Sequence, residues 1–92
     1  MIKSKKIRDS ARNESCSLRV HPQCQDGETV VFCHLQSNYR GMGFKSPDLF
    51  GVYGCAWCHS WLDSGKIDML DQMRALQETQ MKLYEKELIQ VK

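Results

Sequence analysis

The sequence predicts a small α+β domain stapled by zinc, with two short strands, a short helix and a long C-terminal helix. Three observations predict it. The cysteines come in two separated pairs, Cys16-x7-Cys24 and Cys55-x2-Cys58, an arrangement with which two loops hold one tetrahedral ion. Two runs rich in β-branched and aromatic residues, 29–35 and 49–54, flank a polar stretch containing glycine. From Lys66 onward there is neither Pro nor Gly, and Leu, Met, Gln, Glu and Lys dominate.

Size makes the staple reasonable. A chain of 92 residues is one domain with a limited core, and a structural metal is a common remedy. With 41% hydrophobic and 26% charged residues the composition is that of a globular protein. No stretch approaches the roughly 20 apolar residues that span a bilayer, so no membrane partner is expected. The basic N-terminus is not followed by the apolar segment of a secretory leader. The expected location is therefore cytoplasmic, where thiols stay reduced and paired cysteines bind metal more often than they form disulfides. Five cysteines then divide into four ligands and one remainder.

Residues 1–15 read as a basic arm, partly helical near Lys6–Ala11. The first twelve residues carry Lys3, Lys5, Lys6, Arg8 and Arg12 against Asp9 alone, so the net charge of +2 conceals a basic end and a slightly acidic body. Such an arm suits phosphate, and equally a solvated terminus. Residues 16–65 form the zinc-bound unit. Its first loop holds Cys16, His21, Pro22 and Cys24, with a turn at Gln25-Asp26-Gly27. Residues 29–35 make the first strand and 49–54 the second, paired as an antiparallel hairpin with a long connection. A helix beginning near Cys58 ends at Ser64-Gly65, where Gly supplies a stop. Residues 66–92 form the last helix. Ile67, Leu70, Met73, Leu76, Leu83 and Tyr84 mostly keep helical spacing, although Gln77 and Gln80 interrupt them. This helix is expected to pack on the domain, with its second half free to meet a partner or a second copy of the chain.

Thiolates are favoured structural zinc ligands, and a Cys-x2-Cys turn brings two sulfurs to one ion. Cys16, Cys24, Cys55 and Cys58 are thus the expected Zn²⁺ ligands. His21 lies in the same loop and could replace one of them, but Pro22 beside it and the four available cysteines make that unnecessary. Cys33, inside an apolar strand, reads as a buried thiol. His34 follows it at the strand end, and His59 follows Cys58 directly. Asp63 stands four residues after His59, on the same helix face. Taken alone, His34 reads as a hydrogen-bonded structural histidine.

The order strand, His34, loop, strand, Cys55-x2-Cys58-His59 resembles the HNH branch of the His-Me finger (ββα-metal) nucleases. The likeness extends further. Lys5-Lys6-Ile7-Arg8-x-Ser10-Ala11-Arg12, Cys16-x-Leu18-Arg19, His34-Leu35, Gly41-Met42-Gly43, Lys45-Ser46-x-Asp48 and Val52-Tyr53-x-Cys55 resemble the small prophage-encoded nuclease family typified by YbcO, over residues 5 to about 65. The resemblance implies an HNH-like domain that hydrolyses DNA phosphodiester bonds. In it, His34 would be the general base. His59, with Asp63 as a second ligand, would hold Mg²⁺ or another divalent ion. Asp48 would stand near the family's central Asn or Asp and brace the loop. One departure is Cys33, which precedes His34 where many HNH nucleases carry a harder metal ligand.

Three functions compete. A metal-dependent endonuclease uses His34, His59 and Asp63. A zinc module that binds nucleic acid, with DNA the expected partner, needs only the four cysteines and the cations Lys5, Lys6, Arg8, Arg12, Arg40 and Lys45. A protein adaptor, including a homodimer, uses the C-terminal helix. A zinc staple serves all three. Convergence of His34 and His59 on one exposed cleft distinguishes the first from the others.

Overall fold

The computed structural model describes residues 4–35 and 48–90. In chain order it contains α1 (Lys5–Asp9), β1 (Val31–His34), β2 (Gly51–Gly54), α2 (Ala56–Asp63) and α3 (Met69–Glu85). This is a small α+β domain, with both strands and all the helices expected from the sequence. Arg40 and Lys45 lie outside the described residues, as does Lys3.

The N-terminal segment is built into the domain. Ser4 caps α1 by accepting the Ile7 N–H. Ile7 and Ala11 are buried in the core, and the Ser10 hydroxyl meets the Tyr53 hydroxyl at 2.7 Å. Burying one face of α1 leaves Lys5, Lys6, Arg8 and Arg12 exposed.

β1 and β2 pair antiparallel, with Phe32 opposite Tyr53, Cys33 opposite Val52 and His34 opposite Gly51. Because side chains alternate across a strand, Phe32, His34 and Tyr53 share one face, and Cys33 and Val52 share the other. Gly51 is required by packing: a Cβ there would fall 2.1 Å from the Phe32 ring. That ring in turn meets the His34 imidazole edge-on, with centroids 5.3 Å apart. The outer edge of β2 is closed rather than open. Tyr53 accepts the Ser17 N–H at 2.7 Å and donates its own N–H to the Thr79 hydroxyl at 3.2 Å, so α3 seals an edge that would otherwise invite pairing.

Both later helices end in the same way. At the end of α2, Gly65 takes φ 73°. The Lys66 N–H returns to Trp61 C=O at 3.0 Å and the Gly65 N–H to Leu62 C=O at 3.2 Å, a Schellman stop. α3 stops at Glu85, short of the expected run to residue 92. Glu87 takes φ 59°, and Leu88 and Glu87 donate to Leu83 and Tyr84 at 2.9 and 3.0 Å. The cause is apolar: Leu88 and Ile89 fold back against the core, and continuing the helix would carry them away.

Arg74 ties α3 to the first cysteine loop. Its guanidinium donates to Ser17 C=O at 2.8 Å and Leu18 C=O at 2.7 Å and pairs with Glu78 at 2.7 Å. Arg19, held at φ 49°, makes a two-pronged bond to the same carboxylate at 2.9 and 2.8 Å. Between two guanidinium groups, Glu78 is lowered to about 2, although burial opposes the shift.

Candidate metal centre and histidine sites

Four loop and helix-start positions bring the paired cysteines together. The side chain of Asp26 accepts the Cys16 N–H at 2.7 Å and shapes the first loop. Cys55 is the N-cap of α2, and its sulfur accepts the Cys58 N–H at 3.5 Å. The Cys16 sulfur accepts the Cys55 N–H at 3.3 Å. All four sulfurs lie within 4.8 Å of one another, and none is in a disulfide. A tetrahedron with metal–sulfur bonds of about 2.3 Å has edges of about 3.8 Å, so small movements suffice to enclose an ion.

The electrostatics fit a cation. Burial and the adjacent sulfurs of Cys16 and Cys58 push the Cys24 thiol far up. Burial also raises Cys58, against the N–H groups of His21 and Val20. Cys55 is the exception: burial opposes its ionisation, but the Cys58 and Gln25 N–H groups outweigh it and lower the thiol to about 7. Clustered thiols resist joint ionisation until a soft divalent cation compensates their charge. Cys16, Cys24, Cys55 and Cys58 are therefore a structural metal site suited to Zn²⁺.

His21 has other work. Its Nδ1 accepts the Gln23 N–H at 2.9 Å. Its ring packs beside the indoles of Trp57 and Trp61, with centroids 5.2 and 4.6 Å away.

His34 is held by Asp48. Its Nε2 lies 2.7 Å from Asp48 Oδ1. The other carboxylate oxygen accepts the Ser4 N–H and faces Arg8 Nε at 3.3 Å. Asp48 thus joins the end of β1 to the start of α1. Burial alone would raise its pKa, but His34, Ser4 and Arg8 together lower it. This hub was not legible in the sequence beyond the position of Asp48.

His59 and Asp63 do share a helix face, with Nε2 and Oδ2 3.4 Å apart. Both are substantially exposed. On the opposite hairpin face from His34, Cys33 is buried. Burial, aided by the charges of Cys16, Asp63 and Cys55, pushes it up to about 12, which fits an inert core thiol. Among the described residues no hydrogen bond, ion pair or ring contact joins His34 to His59, and Cys16, Cys24, Cys55 and Cys58 are the one cluster of three or more metal-binding side chains.

Comparison with known proteins places this geometry. The family model described as "Putative nuclease YbcO" matches residues 5–89. The chain belongs to the YbcO family. The match runs through α3, further than the motifs that suggested it. A solved structure described as "Structure of a putative bacteriophage protein from Escherichia coli str. K-12 substr. MG1655" has a TM-score of 0.68 and 24% identity. The alignment covers 89% of this chain and 100% of that one. At that identity it shows a shared fold. No match is found among curated proteins. Among the described residues no helix is long and apolar enough to cross a membrane.

Proposed function

We propose that this YbcO-family chain is a zinc-stapled module that grips the phosphate backbone of nucleic acid through its N-terminal helix, without cutting it. The observation that carries this reading is the fixing of α1. Buried Ile7 and Ala11, together with the Asp48 hub, hold the helix against the hairpin while Lys5, Lys6, Arg8 and Arg12 face solvent. Cations on an anchored helix lose less freedom on meeting phosphates than cations on a free tail. The zinc site supplies rigidity, and its four thiolates leave no open coordination position for substrate.

Hydrolysis is the second reading, favoured by the family and by the Asp48–His34 pair, since a carboxylate that orients an imidazole is one part of a general base. It also needs a divalent ion at His59 and Asp63, which provide two donors on an exposed helix face. The four-cysteine site is the one cluster of three or more metal-binding side chains among the described residues, which favours the binding module.

Binding of a fluorescent DNA duplex across a salt series tests the proposal. The triple variant Lys5→Ala, Lys6→Ala, Arg12→Ala, which spares the Asp48 partners, is expected to bind more weakly. The slope of log K against log salt should become shallower by about 2–3, at roughly 0.9 per lost phosphate contact. An unchanged slope with unchanged affinity overturns α1 as the binding surface.

A further inference from the structure

We infer that α3 is a self-association surface: two copies of the chain pair antiparallel through the outer stripe Leu70, Met73, Gln77, Met81 and Tyr84. The inference is independent of the nucleic-acid reading. Ala75, Thr79 and Leu83 are buried against the domain. The stripe lies on the opposite side of the helix. At 3.6 residues per turn, its five members fall within about 40° of Gln77. Leu70 is 76% exposed, Met73 49%, Met81 58% and Tyr84 51%, and the stripe carries no charged residue.

The occupant follows from the spacing. Read outward from Gln77, the apolar positions are four and seven residues away in both directions. An antiparallel pair with its two-fold axis at Gln77 therefore sets Leu70 on the partner's Tyr84 and Met73 on the partner's Met81. Every apolar side chain meets an apolar side chain, and the two Gln77 amides meet at the axis, where each can donate and accept. Self-complementarity of this kind is what an isologous dimer requires. A parallel pair would instead stack Leu70 on Leu70 and Tyr84 on Tyr84, with no use of the symmetry about Gln77. The four apolar side chains and their flanks expose on the order of 500 Å² per copy. The pair then buries about 1,000 Å², the lower bound of a specific interface, so a weak and concentration-dependent dimer is expected. The unlike lengths of Leu and Tyr fit each other better than two tyrosines would.

Sedimentation velocity over a wide concentration range, with the full-length zinc-loaded protein, tests this. The wild type is expected to move from monomer to dimer as concentration rises. Leu70→Glu should raise the dissociation constant at least tenfold, with zinc content and circular dichroism unchanged because the side chain is exposed. Adding Tyr84→Lys to that variant should restore much of the lost association. Residues 70 and 84 are about 21 Å apart along one helix, so the rescue is available only between antiparallel copies. Gln77→Leu should tighten the dimer. A wild type that stays monomeric at millimolar concentration, or a Leu70→Glu variant that dimerises undiminished, overturns the inference. Failure of Tyr84→Lys to rescue Leu70→Glu overturns the antiparallel arrangement.

Discussion

Glu87 sits in the left-handed region, φ 59°, where the Schellman stop of α3 favours glycine. Its neighbour in kind, Gly65, fills the same role after α2 and was readable in advance as a stop. Glu87 was not, because nothing about a glutamate announces that position. Glu87→Gly is expected to stabilise the domain by roughly 0.5–1 kcal/mol, the relief of backbone strain less the added freedom of the unfolded chain. Chemical unfolding with the slope held common to both proteins measures it. Glu78 gives a second residue-scale expectation. Its pKa falls from 4.5 to about 2 in the folded state. The unfolded chain therefore binds more protons between those values. The contribution is complete above about pH 4.5 and is lost as pH drops toward 2. The stability difference between wild type and Glu78→Gln should shrink from pH 7 to pH 3. The comparison holds down to the pH at which the thiolates release their metal, and over that range the difference isolates the carboxylate. Asp48 marks the boundary of sequence reading at this scale. Its partners, Ser4, Arg8 and His34, stand 44, 40 and 14 residues away, and no local pattern joins them.

At the scale of elements, local chemistry and tertiary packing divide the structure between them. The hairpin was legible because β-branched and aromatic residues cluster in two short runs, and the start of α2 because the Cys-x2-Cys turn begins at its N-cap, Cys55. The role of α1 was not, since a five-residue helix owes little to propensity and most of its stability to packing. It is part of the core, with Ile7 buried and Ser4 bonded to Asp48. Ile7→Ala is expected to cost about 2–4 kcal/mol, the usual range for emptying a buried aliphatic site, and to loosen the His34 environment through Asp48. Thermal unfolding reads the first effect. Solution NMR of the His34 ring protons reads the second.

The whole molecule depends on one staple. The buried core is small, and the cysteines connect the first loop to α2 across 39 residues of sequence. Metal binding is therefore folding energy. Cys55→Ser should lower zinc content and unfold the domain together, and a chelator should do the same to the wild type. Folding that survives complete metal removal would refute the staple. Function was less legible than fold. Four cysteines imply zinc by their own chemistry, whereas a histidine takes its role from its partners, here Asp48 beside His34 and Asp63 beside His59. The central claim is binding without cleavage. It is tested most directly by incubating end-labelled DNA at saturating protein with Mg²⁺, Mn²⁺ or EDTA, and resolving both the complex and the strand lengths. Salt-sensitive complexes on intact strands in all three conditions are the expected result. Strand cleavage that needs the divalent ion, persists through purification and disappears in His34→Ala would contradict it and establish the hydrolytic reading.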